Sequence, residues 1–164
     1  MGDWNLFFAT SAGSAATLVG LLFVATQLHI DVFKDPKNRW AALAQSTLTI
    51  LSTDFALSLF FLMPGLSPRV HGEVIAIVVA FVLFRTVRIW WPVVRLAEKG
   101  RRHRVAQSFW LLILPFIVYG YLTVGAIQLL NGQVDGVPTV ASAFLTLFAV
   151  ALRNSWRLVV SPEN

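Results

Sequence analysis

The sequence contains no cysteine and few charged residues. Of its 164 residues, 13% are Asp, Glu, Lys or Arg, whereas 57% are hydrophobic. The absence of cysteine excludes a disulfide framework, thiol chemistry and cysteine-ligated metal sites. Because soluble domains carry about 25% charged residues, this chain has too little polar material to cover a surface that faces water. We therefore expect residues 1–164 to form one multi-pass membrane domain.

Motifs of soluble enzymes are also missing. The sequence has no glycine-rich phosphate loop, no nucleophile elbow and no paired carboxylates at a useful spacing. His29, His71 and His103 fall at different ends of the apolar runs, so each is most simply a solvated histidine at the membrane interface. Residues 1–5 contain Asp3 and no Lys or Arg, unlike the basic start of a cleavable signal peptide. We expect no enzyme activity, no cofactor and no metal site.

Five apolar runs divide the chain, at residues 6–30, 41–63, 74–91, 108–130 and 137–152. A spanning helix needs about 20 residues. The third and fifth runs reach that length only with the arginines at their ends. The runs are continuous rather than alternating, which excludes spanning β-strands. The pattern predicts an all-α transmembrane helical bundle of about five spans, with turns at Pro64-Gly65 and Asn131-Gly132.

The distribution of basic residues predicts the orientation. If five spans alternate from an external N-terminus, twelve of the 13 Lys and Arg residues lie inside and only Arg69 lies outside. This agrees with the excess of basic residues in cytoplasmic loops, so the C-terminus should be cytoplasmic. The cytoplasmic basic cluster comprises Arg95, Lys99, Arg101, Arg102 and Arg104. The positive net charge therefore needs no nucleic acid as partner, and anionic headgroups of membrane lipids are the expected partners.

Asp54 is the most informative single residue. It lies 14 residues after Trp40 and ten before Pro64, which places it ~21 Å and ~15 Å from the two ends of its helix. A charge at that depth costs about 2.5–3.5 kcal/mol on insertion scales, which makes it a functional candidate. Arg85, twelve residues after Glu73, has a similar depth, so we predict an intramembrane charge pair of Asp54 and Arg85. The alternatives are a structural, neutral or hydroxyl-bonded Asp54 and an Arg85 that extends to the interface.

Polar residues recur along one side of the second run, close to Asp54. They are Gln45, Ser46, Thr49, Ser52 and Thr53. These residues could line a polar path through the membrane. Such hydroxyls more often bond backbone carbonyls or hold neighbouring helices together.

Small residues recur every four positions in the first run. Ala12, Ala16 and Gly20 form one ridge, and Ala9, Gly13 and Thr17 form another. Such ridges let a second helix approach closely. We predict that Ala12, Ala16 and Gly20 pack against another helix, either in the same chain or in a second protomer.

The first 65 residues carry a further pattern. Ala15, Ala16, Gly20, Leu21, Phe23, Val24 and Ala25 form an Ala-Ala-x-x-x-Gly-Leu-x-Phe-Val-Ala core, and Leu62 and Pro64 end the next span. This pattern resembles a group of small, uncharacterised bacterial inner-membrane proteins. The resemblance implies a multi-pass protein of the bacterial inner (plasma) membrane, and it brings no catalytic residue, cofactor or substrate.

Two functions remain open. The first is a non-enzymatic protein that acts by association, as a regulatory subunit or scaffold in a homo-oligomer or a larger membrane complex. The alternative is a small homo-oligomeric ion channel or transporter that uses the Asp54 side of the second helix. A channel requires Asp54 and its polar neighbours to face a wet cavity or a symmetry axis. Association predicts that they are buried against neighbouring helices.

Overall fold

The computed structural model describes residues 4–28, 39–97 and 102–160, and these residues form helices joined by short turns. Helix α1 covers Asn5–Leu28, α2 covers Arg39–Phe61, α3 covers Pro68–Ala97, α4 covers Arg102–Leu130 and α5 covers Gly136–Val160. The predicted all-α fold is confirmed, because the described ranges contain five helices and no strand. Helices α3 and α5 extend beyond their apolar runs into the flanking polar residues.

Four of the helices are long and apolar enough to cross a membrane. Their spanning segments are Asn5–Gln27 in α1, Pro68–Ile89 in α3, Ile113–Leu130 in α4 and Gly136–Leu158 in α5. The multi-pass character that the composition predicts is therefore supported. Helix α2 has 23 residues, but it carries Asp54, Gln45 and several hydroxyl side chains. This polar content sets α2 apart from the other helices.

Consecutive helices pack antiparallel around two central members. Helix α2 contacts α1, α3 and α5, whereas α5 contacts α1, α2 and α4, and α3 also contacts α4. The start of α1, the end of α2 and the start of α3 meet at one end of the bundle, where Phe8 stacks on Phe61 and Phe61 lies against His71. We call this the Trp4 end. Because α2 has neighbours on several sides, most of its polar side chains are removed from the lipid.

The two predicted turns at the Trp4 end are present. Gly65 has a φ of 80° and Gly132 has a φ of 76°, a left-handed conformation that glycine adopts without steric cost. Helices α3 and α4 approach most closely at Gly72. A Cβ built there would lie 2.7 Å from the Ala126 carbonyl oxygen and 2.8 Å from the Leu130 nitrogen. The absence of a side chain at Gly72 therefore sets the distance between these two helices.

Candidate functional site

Asp54 lies inside the bundle, with none of its surface exposed. It belongs to α2, seven residues before the end of the helix at Phe61, so it lies in the half of the bundle nearer the Trp4 end. The Ser11 hydroxyl of α1 donates to its carboxyl group, at 3.1 Å from Oδ2 and 3.2 Å from Oδ1. Ser11 is partly exposed, so it links the buried carboxyl to the surface of the bundle.

Two further hydroxyls belong to this site. Ser58, one helical turn after Asp54, is fully buried and lies beside the carboxyl group. Tyr119 of α4 is 1% exposed and lies within the electrostatic reach of Asp54. Neither hydroxyl satisfies the geometry of a hydrogen bond to any described residue. We call Ser11, Asp54, Ser58 and Tyr119 the Asp54 cluster. Buried polar atoms without a partner are rare, and they commonly mark a site that binds a proton, an ion or water.

The predicted pair of Asp54 and Arg85 is not formed in the structure. Arg85 Nε donates instead to Thr49 Oγ1 at 3.1 Å, and the rest of its side chain is exposed. Helix α3 begins at Pro68 rather than near Glu73, so Arg85 lies seventeen residues into its helix. In an antiparallel pair that is ~26 Å from the Trp4 end, whereas Asp54 is ~10 Å from it. The two side chains are therefore at different depths.

The residues of the predicted polar path point in different directions. Gln45 and Ser52 are exposed, whereas Thr49 and Thr53 are buried. Thr49 donates to the Gln45 carbonyl and Thr53 donates to the Thr49 carbonyl, each at 2.8 Å. Ser46 and Thr47 bond the Leu43 carbonyl in the same way. These hydroxyls are satisfied within their own helix, which is the second of the two roles considered from the sequence.

His71 is not the solvated interface histidine that the sequence suggested. It lies in the first turns of α3 and is 1% exposed, between the rings of Phe60 and Phe61. Its Nδ1 lies 3.0 Å from the Ser67 carbonyl oxygen. Its Nε2 is buried without a hydrogen-bond partner among the residues that the structure describes. The prediction was wrong because residues 68–73 belong to a helix rather than to a loop.

The small-residue ridge of α1 is divided between two faces. Ala12 is buried inside the bundle, whereas Ala16 and Gly20 are exposed. No heavy atom lies within 4 Å of a Cβ built at Gly20 or at Gly13. We call the exposed strip the outer face of α1; it comprises Ala9, Gly13, Ala16, Thr17 and Gly20. Within this chain, therefore, only Ala12 of the predicted packing ridge is covered by the bundle.

The basic cluster that was predicted to be cytoplasmic includes residues at the end of α3 and the start of α4, at the end of the bundle opposite to Trp4. Arg95 is in the last turn of α3, and Arg102 and Arg104 are in the first turn of α4. Lys99 and Arg101 lie outside the described residues. In the ranges 4–28, 39–97 and 102–160, no group of three or more His, Asp or Glu side chains could hold a metal ion.

Sequence reasoning identified Asp54 but missed its partners. Ser11 lies 43 residues away, and no spacing within one helix indicates that contact. The sequence indicated Tyr119 only weakly, because both tyrosines, Tyr119 and Tyr121, lie in the middle of the fourth apolar run. The arrangement can hold a proton or a water molecule between helices. Comparison of the chain with family models, curated proteins and solved structures finds no match.

Proposed function

We propose that this protein is a non-enzymatic, multi-pass protein of the bacterial inner membrane that acts by lateral association. Its N-terminus is outside and its C-terminus is cytoplasmic, as the distribution of basic residues favours. The first span resembles that of small bacterial inner-membrane proteins, which supports the location. One observation carries the proposal: the outer face of α1 is exposed and has no neighbour among the residues that the structure describes.

The outer face of α1 has the composition of a helix-docking surface. In a helix, glycine is less favourable than alanine by about 1 kcal/mol, so two exposed glycines have no advantage against lipid alone. Small residues at four-residue spacing instead allow two helix backbones to approach and pack. Gly13 and Gly20 are both open at the Cβ position. Among the four spanning segments, that of α1 is the least buried.

The partner we propose is a second copy of this chain. In a symmetric dimer the same face occurs on both subunits, and two strips of small residues are self-complementary. The larger exposed side chains beside the strip, Leu21, Phe23 and Val24, could then contact the partner helix around the close backbone approach. As a dimer, the protein would serve as a subunit or scaffold on which larger membrane complexes assemble.

The alternative of a channel or transporter has less support. That function needs Asp54 and its polar neighbours to face a wet passage. Asp54 is instead enclosed, and the hydroxyls of Thr49 and Thr53 bond their own helix. Burial of Asp54, Thr49 and Thr53 supports association, whereas Gln45 and Ser52 of the same helix are exposed.

Substitution of Gly20 tests the proposal. A Cβ at Gly20 meets no atom of the described residues within 4 Å, so we expect the Gly20→Leu monomer to fold normally. The second backbone can then no longer approach, and the dimer should dissociate. Ala80→Leu, on the exposed side of α3, is the matched control. Analytical ultracentrifugation in mild detergent should give a dimer for the wild type and the control, and a monomer for Gly20→Leu.

Two results would contradict the proposal. One is a wild-type protein that is monomeric at all concentrations in both detergent and lipid nanodiscs. The other is a Gly20→Leu variant that remains as dimeric as the control.

A further inference from the structure

The Asp54 cluster is connected to the surface of the bundle on one side. A groove of about 210 Å³ lies between α1 and α5, lined by Phe7, Thr10, Ser11, Ser14, Leu145 and Phe148. Ser11 therefore lines the groove and also donates to the Asp54 carboxyl. Its lining is mostly apolar, and Thr10, Ser11 and Ser14 contribute its hydroxyl groups.

Beyond Asp54, toward the opposite end of the bundle, no comparable route continues through the described residues. The hydroxyls of Thr53, Thr49, Thr47 and Ser46 all donate to carbonyls of their own helix. Buried Leu51 and Ile50 occupy the intervening positions of α2. A second groove, lined by residues that include Gln45 and Leu48, lies further along and does not include Asp54. The carboxyl is therefore linked to one groove through the Ser11 hydroxyl, whereas the described residues provide no comparable link on the far side.

The charges around Asp54 do not balance a carboxylate. Between Asn5 and Leu28, α1 carries no titratable side chain. From α4, the buried Tyr119 lies within the electrostatic reach of Asp54. On α3, His71 is held at the Trp4 end and Arg85 bonds Thr49. The titratable residues of α5, Arg153 and Arg157, lie in its final turns, far from the Trp4 end. A buried carboxylate without a paired cation is unfavourable, and binding a proton stabilises the group because it removes the charge.

We propose that Asp54 is a proton-binding site that exchanges protons with the groove between α1 and α5 through the Ser11 hydroxyl. In the binding step, Ser11 passes its proton to the Asp54 carboxylate and takes one from a hydronium ion in the groove, which leaves as water. The neutral carboxyl then has one O–H to donate, and the unpartnered Ser58 oxygen beside it can accept that bond. The carboxylate form instead accepts the bond that Ser11 donates, and the Ser58 and Tyr119 hydroxyls remain without a partner among the described residues. Proton binding thus rearranges hydrogen bonds between α1 and α2.

Among the described residues, the same geometry gives protons one route to and from Asp54. A proton that reaches Asp54 leaves by the groove through which it entered, because the hydroxyls on the far side are committed to backbone carbonyls. The site therefore senses the pH at the Trp4 end and does not conduct. Ser11 does not belong to the outer face of α1, so proton binding at Asp54 is independent of dimer formation through that face.

Infrared difference spectroscopy on protein in liposomes tests the proposal. The carboxylic-acid carbonyl band of Asp54 is assigned by its loss in Asp54→Asn, and its hydrogen–deuterium exchange rate is then measured. Ser11→Ala should slow the exchange roughly a hundredfold, the lower end of what a positioned proton-transfer group contributes. Ser11→Thr, which keeps a hydroxyl, should restore the rate. Ser14→Ala is the matched control in the same groove and should exchange like the wild type.

A second measurement tests the closed side. In liposomes with one protein orientation, a pH step on the Trp4 side should change the Asp54 band, whereas a step on the opposite side should not. The proposal is overturned if Asp54 stays ionised at every pH at which the protein is folded, or if Ser11→Ala exchanges as fast as Ser14→Ala. A response to pH on the opposite side, or proton flux above that of empty liposomes, would also overturn it.

Discussion

Alanine substitution of two glycines should have opposite effects on stability, according to whether the glycine faces the bundle or the outside. At Gly72 a new Cβ would lie 2.7 Å from the Ala126 carbonyl oxygen and 2.9 Å from Leu130 Cγ. Ordinary contacts of a Cβ begin near 3.4 Å. Helices α3 and α4 must therefore separate by several tenths of an ångström.

The size of the loss follows from the two effects that alanine has at Gly72. Overpacking of a well-packed interior costs typically 1–3 kcal/mol. The higher helix propensity of alanine offsets about 0.5–1 kcal/mol of this. We expect Gly72→Ala to lower the free energy of unfolding by up to about 2.5 kcal/mol. At Gly20 nothing lies within 4 Å of the new Cβ, so only the propensity term remains and Gly20→Ala should stabilise the monomer by about 0.5–1 kcal/mol.

Reversible unfolding in mixed detergent micelles, at a dilution where the protein is monomeric, measures both variants. The monomeric condition matters because the outer face of α1 is proposed to contact a second copy. If Gly72→Ala stabilised the protein as much as Gly20→Ala, the close approach of α3 and α4 would be wrong. If Gly20→Ala destabilised the monomer as much as Gly72→Ala, the outer face of α1 would be packed within the chain.

Two further predictions concern the charged residues. In double-mutant cycles of unfolding, Ser11→Ala and Asp54→Asn should couple by about 0.6–1.7 kcal/mol, the range for hydrogen bonds between membrane helices. Asp54→Asn and Arg85→Leu should be additive. Strong coupling between these two would show that Asp54 and Arg85 form a charge pair after all. In intact cells an impermeant thiol reagent should label Arg69→Cys and leave Arg102→Cys unlabelled, because the basic asymmetry places residues 92–106 inside and residues 64–72 and 131–136 outside. Labelling of position 102 from outside would reverse the topology.

The helices could be predicted from the sequence because the pattern that specifies each helix lies within its own segment of the chain. Continuous apolar runs of spanning length, ended by Pro64-Gly65 and Asn131-Gly132, specify where helices lie and where the chain turns. The positions of the helix ends were predicted less accurately. Helix α3 begins at Pro68 within a polar segment, since proline at the first helical position costs no hydrogen bond.

The candidate site could be predicted only in part. Burial of Asp54 in a membrane helix follows from its depth in an apolar run. The choice of Ser11 rather than Arg85 as its partner depends on the register between helices, and an error of a few residues in one helix end changes that register completely. The division of the small ridge of α1 has a similar origin. Ala12 and Gly20 share one sequence pattern, yet the packing of α1 against α2 and α5 buries only Ala12.

Cysteine cross-linking in native membranes tests the proposed association most directly, and the chain contains no cysteine that would interfere. Gly20→Cys places a thiol on the outer face of α1, and Ala80→Cys places one on the exposed side of α3 as the control. Mild oxidation should give a covalent dimer of the Gly20→Cys protein and none of the Ala80→Cys protein. A Gly20→Cys protein that stays monomeric, or equal dimer formation at both positions, would contradict the account.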